Sequence, residues 1–346
     1  MNKWMLIAVV LYLFASPVSA QEWTAPEAPD PALDLMPAET DSFWEGLQEI
    51  LRNALPEVMP SLSECMGVCL SIFAVVLLLS VIQAIPGNTG ATAEIAGAAT
   101  IGILLLRPAN SLIRLGVDTV RSVSEYGKLL IPVMTAALAG SGGTTTSAAL
   151  YAGTVFFDAI LASLISSILV PLTYAFLCFS IANSALGFET MKKLSGFVKW
   201  LMTWCLKTVL YAFTGYISIT GVLSGTADAA ALKAAKLTIS GMVPVVGGIL
   251  SDASEAVLVG AGLVRNAAGI YGLLASAALC VRPFLQIGIQ FLFLKATGAV
   301  SVIFGSKRCV SLIQDFSWSM GLLLAMTGTG CLMVMISVIC FMRGMG

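Results

Sequence analysis

The chain contains no histidine. That removes the commonest metal ligand and the side chain that most readily moves protons near neutral pH. Charge is scarce as well, at 11% of 346 residues against about 25% in a soluble domain. No G-x-x-x-x-G-K-[ST] loop occurs; Gly305-Ser306-Lys307 is the nearest fragment, so nothing argues for nucleotide hydrolysis. The eight cysteines lack C-x-x-C spacing; only Cys65 and Cys69 lie close, and buried apolar thiols are the plain reading. No cofactor is expected. What remains is apolar: 58% hydrophobic residues and a mean hydropathy of +0.94. Such a chain is an integral membrane protein.

Residues 1–20 combine Lys3, an apolar stretch from Trp4 to Phe14 and Val18-Ser19-Ala20, the form of a secretory signal peptide. An uncleaved anchor is the alternative. Residues 21–60 are then extracytoplasmic. Their first half is acidic and proline-rich, and cannot fold alone. Ser42 and Glu45 have the spacing of a capping box, opening a short amphipathic helix with Phe43, Leu47, Ile50 and Leu51 on one face.

Residues 61–346 form the multi-span domain, with five to eight crossings. Met66 to Ile85 is the clearest span, ended by Pro86-Gly87-Asn88. Residues 91–106 are small and apolar. Pro108 has the look of a helix start, and Arg107, Arg114, Arg121 and Lys128 recur every seventh residue with Asp118 and Glu125 between them. Those spacings put a charged stripe on one helical face, either a solvated face or a docking ridge. Basic residues gather in 107–128, 189–199 and 295–308, which predicts that all three are cytoplasmic. Further apolar runs extend over 148–186, Trp200–Leu223, Ile270–Leu294 and Trp318–Met342.

Two Pro-broken stretches, Ile131-Pro132-Val133-Met134 and Val243-Pro244-Val245-Val246, are each followed at the same distance by another proline, Pro171 and Pro283. An internal two-fold repeat over about residues 114–225 and 226–337 accounts for this order; two unrelated kinked helices are the alternative. The predicted fold class is thus all-α, a polytopic helical membrane protein with Pro/Gly-broken helices. Broken helices at matching positions are the usual pointer to a transport site.

The stretch around Pro244 is the most unusual. Pro244 interrupts a helical ladder, Gly247 and Gly248 permit a sharp turn, and Asp252 with Glu255 forms a capping box for a new helix ending near Arg265 and Asn266. Irregular backbone at membrane depth survives only where protein or a water-filled cavity shields it. Asp158, Lys207 and Arg282 are lone charges within apolar runs, and such charges are functional or paired. With Pro244, Gly247, Gly248, Asp252, Glu255, Arg265 and Asn266, they are the candidate functional residues.

From Pro244 to Leu258, then at Val264-Arg265-Asn266 and Gly269, the sequence resembles the stage III sporulation protein AE family of endospore-forming bacteria. The resemblance implies a non-enzymatic component of the channel joining mother cell and forespore, a complex likened to a secretion apparatus or feeding tube. It implies the mother cell's outer forespore membrane, the other stage III sporulation proteins of the AA to AH set as partners, and stage II sporulation protein Q across the gap. It brings no catalytic residues. A stand-alone secondary permease for a small solute is the alternative that the broken helices suggest by themselves.

Overall fold

The structure, a computed structural model, describes residues 25–37, 42–85, 90–140, 144–187, 189–219, 267–304 and 307–345. Helix α1 is a single turn, Asp30–Leu33. Five long rods follow: α2 (Phe43–Ala84), α3 (Gly90–Gly140), α4 (Thr144–Leu164) continuing through a π turn at Ile165–Leu169 into α5 (Val170–Leu186), α7 (Ala267–Phe304) and α8 (Lys307–Met345). A shorter rod, α6 (Glu189–Ile219), lies between α5 and α7 in chain order. No strand occurs among the described residues, and the all-α membrane fold class is the one observed.

From Phe316 to Met342 helix α8 carries no charge, and a stretch of that kind belongs in the centre of a bundle. In its most apolar stretch 94% of residues are buried, against 22–33% in the other four long rods. Phe316, Met320, Leu323, Met326, Val334 and Phe341 are all enclosed. Helices α3, α4, α5 and α7 pack directly on it, and α2 closes the bundle against α3 and α7.

Helix α3 overturns one reading of the sequence. The apolar run 91–106, the charged stripe 107–128 and the apolar run after Leu129 are one unbroken helix, with Pro108 and Pro132 inside it rather than at a start or a break. One apolar seam explains this. Ile101, Leu105, Ala109, Ile113, Val120, Leu130, Met134 and Leu138 are buried in helical register across both prolines. Packing along that seam outweighs the hydrogen bond each proline removes, about 3 kcal/mol or more. Ser42 also departs from expectation. It stands at the N-cap of α2 in extended backbone (φ −127°, ψ 127°), without a side-chain cap hydrogen bond.

Three of the connections between the described helices cluster at one end. Gly187 caps α5 in the left-handed region (φ 73°), donating its N–H to the carbonyl of Asn183 at 2.8 Å. The Arg308 guanidinium lies against Gly187 and 3.6 Å from the Glu94 carboxylate, gathering the α2–α3, α5–α6 and α7–α8 connections. At the far end the 25–36 segment packs across the bundle. There the Ala28 N–H donates to the Tyr271 hydroxyl (3.1 Å), and the Tyr126 hydroxyl donates to the Pro26 carbonyl (3.4 Å).

The three basic segments do not gather at one end of the bundle. Segments 189–199 and 295–308 do meet at the turn end. Segment 107–128 instead runs away from it, with Pro108 and Ser111 beside Ser61 and Glu64 of α2. Helix α3 runs unbroken through Pro108.

Five helices among the described residues are long and apolar enough to cross a membrane. The sequence-predicted span Trp200–Leu223 is described only to Ile219, and that part is not among the five. Of the proposed repeat, residues 226–266 lie outside the described residues. Pro171 follows the π turn, whereas Pro283 sits inside unbroken α7.

Gly153 of α4 meets Tyr216 of α6 so closely that an added Cβ would overlap its ring. That ring cannot swing aside cheaply. Its hydroxyl donates to the Ala149 carbonyl at 2.6 Å, and its face packs on Phe157 at 5.7 Å. Gly153→Ala is therefore expected to destabilise the protein by about 1–3 kcal/mol, the usual cost of overpacking. Thermal unfolding in detergent measures it, and adding Tyr216→Leu should recover most of the loss.

Candidate functional site: polar groups within the bundle

One buried and one partly buried carboxylate organise the polar groups between the helices. The first is Asp158 of α4, only 6% exposed, whose Oδ2 accepts a hydrogen bond from the Ser124 hydroxyl of α3 at 2.5 Å. Among the described residues it has no cation within ion-pair distance. Ser124 also lines a cleft of about 330 Å³ between α3 and the π turn. Arg121, Glu125 and Lys128 of the heptad-spaced stripe border it on one side, Ser163 and Ser166 on the other. The geometry follows from the sequence. Pro171 has no N–H to donate, and an interrupted ladder is relieved by a wider turn just before it. π turns inside long helices are often found at functional sites.

The second carboxylate, Asp315 of α8, ties three helices together. Its Oδ1 lies 2.7 Å from the Lys199 ammonium of α6, and its Oδ2 accepts from the Ser180 hydroxyl of α5 at 2.5 Å. The ammonium also sits over the rings of Phe176 (5.0 Å) and Trp318 (5.2 Å), which meet edge to face. Two aromatic faces beside the ion pair reduce its screening by solvent, although the Lys199 side chain stays partly exposed. This cluster holds α6 on the bundle; nothing in it is arranged for bond-making.

The remaining candidates are dispersed. Arg282 of α7 pairs with Glu57 of α2 at 3.1 Å, both side chains substantially exposed. An exposed pair contributes about 0–1 kcal/mol, so Arg282→Ala should leave detergent stability within about 1 kcal/mol of the parent. Lys207 is partly buried on α6, apart from both carboxylate clusters. Pro244, Gly247, Gly248, Asp252, Glu255, Arg265 and Asn266 all lie outside the described residues. Among the described residues no three acidic or thiol side chains converge as metal ligands would.

Sequence reasoning found Asp158 but missed Asp315, Ser180 and Lys199 as a unit. The signal was present: Asp315 is the lone acid of α8, in the same setting that singled out Asp158. Serine 124 carried no such signal, because only the crossing of α3 with α4 gives it a partner.

Comparison with known proteins settles the relationship. The family described as Stage III sporulation protein AE matches residues 36–344, nearly all of the folded chain. The chain belongs to that family. Stage III sporulation protein AE of Bacillus subtilis (strain 168) is 24% identical over 215 residues. That alignment covers 61% of this chain and 54% of the relative, so the matched region spans about half of the relative's length. No solved structure matches. The family resemblance first carried by residues 244–269 thus extends over the whole bundle, including both carboxylate clusters.

Proposed function

We propose that this chain is a non-enzymatic membrane component of the channel complex between mother cell and forespore, acting at stage III of sporulation. Membership of the stage III family across residues 36–344 carries this reading. The partners we assign are the other stage III proteins of the AA to AH set, with stage II sporulation protein Q engaged indirectly across the gap. The membrane we assign is the mother cell's outer forespore membrane. The physical character of the chain supports a structural role. A central helix uncharged from Phe316 to Met342 and inter-helical ion pairs build a rigid scaffold, and a chain without histidine or a nucleotide loop has no constellation on which to build catalysis. The Pro244–Asn266 stretch is the segment we assign to partner contact or path lining.

The deciding experiment is co-purification of the tagged full-length protein from sporulating cells. Recovery of other stage III proteins in stable amounts is expected. A second reading, a stand-alone secondary permease, is favoured by the cleft beside Ser124 alone. Purified protein in vesicles that carries a solute without partners, and co-purifies with none, would replace the first reading with the second.

A further inference from the structure

We propose that the bilayer encircles only the half of the bundle nearest the turns, and that the other half is a water-exposed helical head on the opposite side from the basic turns. The proposal rests on the surface of the bundle and is independent of the function assigned above.

Helices of 37–49 residues are far too long for one crossing. At 1.5 Å per residue they run about 55–75 Å, roughly twice the 30 Å of a hydrocarbon core. The surface shows which half is apolar. Leu70, Leu78, Ile103, Trp204, Leu292 and Ile303 are each more than half exposed, on four different helices. Counted along their helices, all six fall within about 23 Å of the turn end. Water would not leave so wide a ring of large apolar side chains on a monomer's surface without a partner.

The ring ends at a line of charge. Arg107 on α3, Lys207 on α6, Glu64 on α2 and Arg282 on α7 lie about 26, 27, 30 and 33 Å from the turns. Four helices thus place a charge at one height, and that height matches the thickness of the hydrocarbon core. Exposed Ser163 and Ser166 on the α4–α5 rod lie beyond it, across the cleft from Arg121 and Lys128. Beyond the line charge joins the exposed apolar side chains, among which Leu129 of α3 and Phe156 of α4 also remain. Exposed Leu55 and Met59 alternate with Arg52 and Glu57 on α2, and Arg114, Asp118, Arg121, Glu125 and Lys128 follow on α3.

Within the ring, Lys199 is paired with Asp315, and Lys295 lies over the Phe291 ring at 5.4 Å. Trp204 and Tyr211, both exposed, flank Lys207 at the outer boundary, where amphipathic rings prefer to sit. Sidedness follows from the turns themselves. Lys192, Lys193, Lys307 and Arg308 gather there, and basic loops stay in the cytoplasm. The head then lies outside the cytoplasm, capped by the 25–36 segment. The Arg121–Lys128 cleft opens to water rather than to lipid.

Hydroxyl-radical footprinting of the wild-type protein in native membranes tests the boundary on one helix. Met59 and Met66 are 64% and 49% exposed. Met59 should be oxidised readily and Met66 spared, with Met66 becoming reactive once detergent replaces the bilayer and the protein is denatured. For sidedness, Arg121→Cys and Lys193→Cys are treated with an impermeant maleimide in right-side-out and inside-out vesicles. They should label in opposite preparations, while the exposed native Cys178, inside the ring, stays unlabelled in both. Arg114→Cys serves if Arg121→Cys fails to accumulate. Equal oxidation of Met59 and Met66, or labelling of the head and turn cysteines from the same side, would overturn the proposal.

Discussion

Asp315→Ala is expected to lower the stability of the bundle by about 3 kcal/mol, at the lower end of what breaking a buried ion pair costs. The lower end applies because the Lys199 side chain keeps 32% of its surface, so water screens part of the stranded charge. The loss has two components. The Lys199 ammonium remains between Phe176 and Trp318 without its counterion, and the Ser180 hydroxyl loses its acceptor. Unfolding in detergent should show the drop, and the steady-state level in membranes should fall with it. Asp315→Asn keeps an acceptor for Ser180 and should lie between Ala and the parent. Joining Lys199→Met to Asp315→Leu removes both charges and should recover most of the stability, as apolar replacement of a buried pair commonly does. If the double variant is as unstable as the sum of the singles, the two charges are not coupled and the cluster has another role.

How much of this could be read from the chain divides along physical lines. Apolar length is a local property, and it announced the all-α membrane class and most of the long helices. The continuity of α3 is not local. Pro108 breaks a helix judged on neighbouring residues alone, and only the apolar seam shared with α7 and α8 carries the helix through it. Charge partners fail for a related reason. Asp315 and Lys199 lie more than a hundred residues apart, and no periodicity connects them until α6 and α8 are placed side by side. Asp158 was legible because a lone acid in an apolar run stands out by itself. Its partner Ser124 was not, since serines are common in such helices and usually bond their own backbone, as Thr119 does to Leu115.

Asp158→Asn is expected to abolish or sharply reduce sporulation while leaving the protein folded. A carboxylate enclosed this fully costs several kcal/mol in lost hydration, and no ion pair compensates it among the described residues. One hydroxyl from Ser124 contributes about 1.5–3 kcal/mol when its acceptor is charged and about 0.5–1.5 kcal/mol when neutral. The asparagine amide oxygen can accept the same bond, so the substitution should change stability by only about 1 kcal/mol. A purely structural role would therefore be served by asparagine as well as by aspartate. The cleft beside Ser124, with Arg121, Glu125 and Lys128 at its rim, supplies a reason to keep the charge. Ser124 joins the carboxylate to that cleft, so a charge on Asp158 can attract a cationic group of a partner seated there. The measurement is spore yield beside membrane level and co-purification with other stage III proteins. A normal level with lost spores assigns the carboxylate a role beyond packing, and lost co-purification assigns that role to assembly. Wild-type spore counts from Asp158→Asn, with a defect only in Asp158→Ala, would reduce Asp158 to a hydrogen-bonded core residue.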